Sequence, residues 1–241
     1  MNSSAPIIIL VEPQLAENVG MTARAMKNCG LKELRLVNPK EDHLSSKALS
    51  SSSNSEEILH NAKVYTSTKD AIGDLNFVLA TTARHRDQTK KVYNADYGAK
   101  EVAAKLKNAE KCGFMFGPER TGLCNDDVCL ANAIINIPLN PEHCSLNLSQ
   151  AVLLVSYEFF KIGLGEVKPQ MVTNHTSIAN KEKVLLFCNH IESKLENFAN
   201  YKDEYKKDKL TINLRNIFTR AEMTEQELNT LYGIINYLAN K

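Results

Sequence analysis

The chain has 241 residues, of which 43% are hydrophobic and 24% charged, and its formal net charge is +1. That length allows one core domain with a small appendage, and the composition favours neither a disordered nor a membrane class. So neutral a total does not point to nucleic acid, although a local basic patch could still bind it.

The first apolar run, PIIILV at 6–11, is far shorter than a membrane span and lacks a basic leader, so a cytoplasmic protein with no membrane partner is expected. Comparable runs follow at 34–37 (LRLV), 76–82 (NFVLATT), 113–116 (GFMF) and 134–138 (IINIP), with a weaker one at 63–65 (KVY). They are continuous rather than alternating, and helix-like segments such as VGMTARAMKNCG separate them. Strands buried on both faces read this way, so an α/β fold around a parallel sheet is predicted. The serine-rich SSKALSSSSNSEE at 45–57 reads as an exposed, mobile connection.

Farther along, SLNLSQAVLLVSYEFFK at 145–161 places Leu148, Val152, Val155 and Phe159 at helical spacing, with Ser145 available as N-cap. Residues 162–180 then carry glycines, a proline and polar residues without periodicity. The expected organisation is a first domain over 1–163, a linker over 164–180 and a helical extension over 181–241. In that extension Val184, Phe187, Ile191, Leu195 and Phe198 form one stripe, and Thr224 with Glu227 makes a capping box. The mixed-sign YKDEYKKDK at 201–209 reads as a solvated loop rather than an RNA contact.

The cysteines at 29, 112, 124, 129, 144 and 188 contain no C-x-x-C pair and read as reduced thiols. Neither they nor the histidines show metal-ligand spacing, so no metal is expected. His143 beside Cys144 has no identifiable orienting acid, which disfavours a thiol hydrolase.

Chemistry is more legible in the loops that leave the strands, because a parallel sheet collects its ligand crevice at the strands' carboxyl ends. After the first strand, Asn18, Gly20 and Arg24 spell N-x-G-x-x-x-R. Asn18 can cap a helix, Gly20 permits close approach, and Arg24 near the positive helix end suits an anion; a capped helix with one solvated arginine is the plainer alternative. ATTARHRDQTKK at 80–91 gathers Arg84, Arg86, Lys90 and Lys91 around His85, either to track phosphates or as a solvated basic loop. FGPERTGL at 116–123 could cradle a ligand with Gly117 and Gly122, or be a tight turn with an exposed ion pair. Leu123 and Cys124 stand where a Walker loop needs Lys and Ser or Thr, and no G-x-G-x-x-G follows the first strand. An NTPase and a nicotinamide enzyme are therefore disfavoured.

Taken in order, N-x-G-x-x-x-R, TTARHR, FGPERTGL and IPLNPEHCSLNLSQA resemble the motifs of SPOUT RNA methyltransferases of the TrmH type. The short helical tail makes the similarity closest to the TrmJ branch. The resemblance spans nearly the whole chain. It implies a parallel sheet with a deep C-terminal trefoil knot, an exception to the rule against knots. It also implies S-adenosylmethionine as cofactor, a homodimer with sites at the interface, and methylation of a tRNA ribose 2′-hydroxyl, at cytidine or uridine 32 where the anticodon loop begins.

Carried over position by position, Thr81, Thr82, Ala83, Gly117, Ile137, Cys144, Ser145 and Leu146 would line the cofactor. Arg24, Asn18, Glu119, Ser145 and Asn147 would form the catalytic group, with Arg24, Arg84 and Arg86 on RNA. A guanidinium releases its proton too reluctantly to be an easy base, so Arg24 is read as a clamp on the substrate phosphate and on charge developing at the 2′-oxygen. Pro118 and Cys144 depart from the family's usual residues, which bears on cofactor affinity. Two other readings are a catalytically silent RNA-binding or assembly factor on the same fold, and an enzyme acting on ribosomal RNA. A silent paralogue would be free to lose Arg24, Glu119, Ser145 or Asn147, and all are present.

Overall fold

The computed structural model describes residues 5–83, 88–142, 145–165, 175–195 and 204–240. Two compact units divide the chain, residues 1–167 and 168–241. The first is built on a seven-stranded sheet in which every pairing is parallel, in the order β3-β2-β1-β6-β4-β7-β5. These strands are Ile7–Val11 (β1), Leu34–Val37 (β2), Lys63–Tyr65 (β3), Phe77–Thr81 (β4), Val92–Tyr93 (β5), Cys112–Phe116 (β6) and Ala133–Ile135 (β7).

Side chains alternate between the two faces of a strand, and both faces here are apolar. Ile8, Leu10, Leu79 and Phe114 belong to one buried cluster, which they share with the helices Ala16–Asn28 (α1), Ala95–Lys107 (α5) and Leu148–Leu164 (α7). Ile7, Ile9, Val78 and Met115 belong to the other, closed by Thr68–Ile72 (α4) and Asn125–Leu130 (α6). The edge strands β3 and β5 each expose a valine, Val64 and Val92.

At the amino ends of the strands Arg35 is buried on β2 and saturated with acceptors. Its Nη1 donates to Asp74 Oδ1 at 2.5 Å and to the Ala71 carbonyl at 2.7 Å, and its Nη2 donates to Glu33 Oε1 at 2.9 Å. The Arg35 guanidinium, with Lys111, holds the Asp74 carboxyl well below the usual carboxylate range. Burial works upward on Glu33, but hydrogen bonds from Arg35 and Lys63 bring it below that range as well. A buried cation needs this company, since an unpaired one is expensive.

Four expectations from the sequence are corrected. The serine-rich segment folds into two helices, Ser46–Ser52 (α2) and Glu56–His60 (α3), with Ala48, Ser52, Ile58 and Leu59 buried. Its serines satisfy themselves locally: Ser45 Oγ caps α2 through the Ala48 amide, and Ser50, Ser51 and Ser52 donate to carbonyls of their own helix. Helix α1 begins at Ala16, so Asn18 lies inside it; Glu41 Oε2 accepts from the Ala16 amide at 3.0 Å instead. Arg24 consequently sits in the second half of α1, away from its positive end. Helix α7 is capped by Asn147 in a capping box with Gln150, not by Ser145.

The second unit holds three helices among its described residues, Lys181–Leu195 (α8), Glu204–Arg220 (α9) and Glu225–Ala239 (α10). Val184, Phe187, Cys188, Ile191 and Leu228 form its core, where Phe187 meets Phe218 and Tyr232 edge-on with centroids 4.9 Å apart. Thr224 and Glu227 cap α10 reciprocally. The fourth correction falls here, because residues 204–209 belong to α9 rather than to a loop; that helix buries no residue, so its charges are solvated as expected. Phe198 lies outside the described residues. Among the described residues no helix is long and apolar enough to cross a membrane.

Candidate active site

A cleft of about 370 Å³ opens at the carboxyl ends of β4, β6 and β7, a volume that suits a small organic ligand. Its first wall is the end of β4. Thr81 Oγ1 donates to the Met115 carbonyl at 2.9 Å, tying β4 to β6. The Thr82 amide donates to the Ile135 carbonyl at 3.0 Å, and Asn136 Nδ2 returns a bond to the Thr82 carbonyl at 3.2 Å. These bonds hold Thr81 and Thr82, with Ala83 next to them, in the wall.

The second wall is the glycine loop after β6. Gly122 takes a left-handed φ of +66°, and its amide closes the loop onto the Pro118 carbonyl at 2.8 Å. A side chain at Gly117 would collide with the backbone of Leu123, which is itself buried and anchors the loop's far end. The glycines let the chain double back tightly enough to leave the cleft open. Cys124 then caps α6, its sulfur accepting from the Asp127 amide at 3.4 Å. Burial first, then Asp127, pushes the Cys124 thiol upward. The third wall comes from the chain after β7, with Ile137, Leu139, Ser145 and Leu146, and from Leu148 and Ala151 on α7.

Three segments distant in sequence are joined through Glu119, which lines the cleft. Asn18 Nδ2 donates to Glu119 Oε1 at 2.6 Å, and the Gln14 amide donates to Glu119 Oε2 at 3.0 Å. Asn147 Nδ2 donates to Asn18 Oδ1 at 2.9 Å. Glu119 is therefore fixed on both oxygens, and Asn18 is buried.

The cleft and this linkage bring together Thr81, Thr82, Ala83, Gly117, Glu119, Ile137, Ser145, Leu146, Asn18 and Asn147. Cys144, Arg84 and Arg86 lie outside the described residues. Arg24 is not brought to the cleft. It is exposed on α1, where Nη1 donates to Ser53 Oγ at 3.3 Å. Gly20 does permit close approach, but of helix α2 rather than a ligand. Sequence reading missed Gln14, Asn136, Ser149 and Ser53. A backbone donor such as Gln14 leaves no trace in residue identity, whereas Ser149 could have been flagged as the second residue after an Asn cap. Among the described residues no cluster of three or more His, Cys, Asp or Glu side chains could hold a metal ion.

The profile of the SpoU rRNA Methylase family matches residues 5–157, and that of the tRNA methyltransferase TrmJ C-terminal domain matches residues 182–241. The chain is 34% identical to a tRNA (cytidine/uridine-2′-O-)-methyltransferase TrmJ of Photorhabdus laumondii, covering 95% of this chain and 94% of that protein. It is 32% identical to a tRNA (cytidine-2′-O-)-methyltransferase TrmJ of Methanocaldococcus jannaschii, covering 93% and 95%. Among solved structures, TrmJ from Z. mobilis ZM4 superimposes with a TM-score of 0.84 at 36% identity, covering 98% of this chain and all of that one. A parallel α/β domain that joins its glycine loop to two other strand-end segments, followed by a helical tail, thus places the chain in the SpoU rRNA Methylase family, within its TrmJ branch.

Proposed function

We propose that this protein is a tRNA methyltransferase that transfers a methyl group from S-adenosylmethionine to a ribose 2′-hydroxyl. The observation that carries the reading is the fixing of Glu119, which lines the cleft, by Gln14, Asn18 and, through Asn18, Asn147. Membership of the TrmJ branch supports tRNA as the substrate class, and cytidine or uridine 32 of the anticodon loop is the position we assign. The chain path through the carboxyl-end loops is proposed to form the trefoil knot of the family, with 1–163 as the catalytic domain, 164–180 as linker and 181–241 as extension.

The residues present fit the cofactor. The cleft has the size of a nucleoside-bearing ligand, its walls are both polar and apolar, and the Gly117 position has no room for a side chain. Thr81, Thr82, Ala83, Gly117, Ile137, Ser145 and Leu146 would hold it, with Cys144 assigned beside them by sequence. When bound, S-adenosylmethionine supplies an electrophilic methyl group on a sulfonium.

The rest falls to this chain. Glu119 ties the glycine loop to the segment after β1 and, through Asn18, to the N-cap of α7. Fixing the two reactants in a near-attack geometry accounts for much of such a rate enhancement. Arg24 is assigned to the substrate phosphate and to charge developing on the 2′-oxygen. Since Arg24 stands outside the cleft of its own chain, a homodimer with the active site at the interface is the arrangement that gives it a place. The exposed apolar residues of α1 and α7, Leu15 just before α1, Met21, Leu153, Leu154 and Tyr157, offer a surface for a second copy.

The test is transfer of labelled methyl from S-adenosylmethionine to total tRNA and, separately, to ribosomal RNA, with the modified nucleotide mapped. Label on a ribose 2′-oxygen at the start of the anticodon loop is expected. Label on ribosomal RNA alone would keep the chemistry and overturn the substrate. No label on either, with the cofactor bound, would replace the enzyme by a silent RNA-binding factor.

A further inference from the structure

The linkage through Glu119 has a direction. It starts at α7, where the Ser149 amide and Ser149 Oγ both donate to Asn147 Oδ1, at 2.9 and 2.7 Å. It continues from Asn147 Nδ2 to Asn18 Oδ1 at 2.9 Å and from Asn18 Nδ2 to Glu119 Oε1 at 2.6 Å. It is met at Glu119 Oε2 by the Gln14 amide at 3.0 Å. Both ends are backbone N–H groups, which can only donate. A carboxamide accepts at one end and donates at the other. Once the Ser149 amide claims Asn147 Oδ1, the orientation of Asn147 and then of Asn18 is forced, and a donor must point at residue 119. That residue faces a second donor from Gln14, so it must accept on both sides.

We infer that the N-terminal cap of α7 dictates the chemical identity of residue 119, and that Ser149 and Gln14 are positioning residues for the cleft, acting through this polarised relay. The inference rests on the reading of the cleft as the cofactor site. It explains why a carboxylate stands at position 119 of the glycine loop. Glutamine at 119 is nearly isosteric, but either of its orientations sets its NH₂ against a donor, Asn18 Nδ2 or the Gln14 amide. Aspartate at 147 would accept from Ser149 and compel Asn18 to turn over, which sets Asn18 Oδ1 against the Glu119 carboxylate. Each change alone breaks the relay.

Together they reverse it. The carboxylate introduced at position 147 accepts from Asn18 Nδ2, and Asn18 Oδ1 accepts from the NH₂ of the carboxamide introduced at position 119. The oxygen of that carboxamide still accepts from the Gln14 amide. Every donor again meets an acceptor, and the negative charge has moved from one end to the other.

The experiment is a double-mutant cycle on the full-length protein with Glu119→Gln and Asn147→Asp, reading S-adenosylmethionine affinity by calorimetry and stability by denaturant unfolding. Each single variant is expected to bind the cofactor about tenfold more weakly. The double variant should return to within about threefold of the parent. Losses that multiply in the double variant would overturn the relay. If a single variant fails to fold, recovery of folding in the double variant reads the same coupling, and its absence rejects it. Ser149→Ala should weaken binding by a smaller factor, about threefold, because the Ser149 amide remains, and Ser149→Thr should restore it. A parent that binds no S-adenosylmethionine would reject the cofactor reading, while the stability cycle would still decide the relay. Return of affinity without return of methyl transfer would assign the Glu119 charge itself to the chemistry.

Discussion

A Cβ atom placed on Gly117 would stand 2.1 Å from the backbone nitrogen of Leu123, across the narrowest part of the glycine loop. The obstacle is main chain at both contacts, Leu123 and Gly122, so no rotamer change can relieve it. Gly117→Ala is expected to displace the loop at a cost of about 1–3 kcal/mol. S-adenosylmethionine binding should fall at least about tenfold, since a loop shift of that size dismantles one wall of the cleft. Calorimetric titration beside denaturant unfolding checks both; unchanged affinity would show that the loop tolerates the displacement.

Two helical glycines should respond with opposite signs. At Gly20 a Cβ would lie 2.2 Å from the Ala48 carbonyl oxygen, where α1 and α2 touch. Gly20→Ala is expected to destabilise by about 1–3 kcal/mol. At Gly233, inside α10, nothing lies within 4 Å of the added carbon. Gly233→Ala should stabilise α10 by about 0.5–1 kcal/mol, through the lost backbone entropy of glycine. Urea unfolding of the two variants measures the contrast, and equal signs would contradict it.

The Arg35 cluster predicts a pH dependence. Asp74 has a folded-state pKa depressed below its usual value, chiefly by the hydrogen bond from Arg35. Its stabilising contribution is therefore complete above the unfolded-state pKa of about 4 and is lost as the pH falls further. Asp74→Asn should lower Tm most at pH 7. The gap to the parent should narrow progressively below about pH 4. A gap that stays constant from pH 7 to pH 2 would exclude the ion pair as its cause.

Arg24 is expected to separate binding from turnover. Arg24→Lys replaces a planar fork by a point charge, and methyl transfer to tRNA should fall by about a hundredfold or more. Cofactor affinity should be unchanged, because Arg24 is assigned to the RNA phosphate and the 2′-oxygen rather than to the cofactor. Ser53→Ala, which removes the hydroxyl that Arg24 meets, should produce a smaller loss, about threefold, in the same assay. Near-normal turnover in the lysine variant would remove Arg24 from the mechanism.

The strands of the sheet were legible because burial on both faces leaves runs such as IIILV and FVLAT with no polar interruption. Their carboxyl ends could be assigned to a ligand for the same reason, and the cleft forms there. The serine-rich helices were not legible. Serine is a poor helix former, and α2 is held by what Gly20 and Ala48 do together, a contact between segments rather than a property of either. The Asn18 role was half legible: its motif marks a special position, but its two hydrogen-bond partners lie 101 and 129 residues away. No local pattern encodes a relay of that span. Arg24 was legible as a motif residue, and its place outside the cleft was not, because its side chain meets Ser53, 29 residues away in the serine-rich segment.

The burial of Arg35 at the amino ends of the strands separates stability from binding. The groups that saturate it, from Glu33, Ala71 and Asp74, all sit at the rim opposite the cleft, and none of them lines it. One rim of the sheet thus carries a buried charge cluster that serves the fold, while the other carries the cleft. A substitution at one rim can therefore alter endurance without touching the cleft, and one at the other can alter binding without touching the Arg35 cluster.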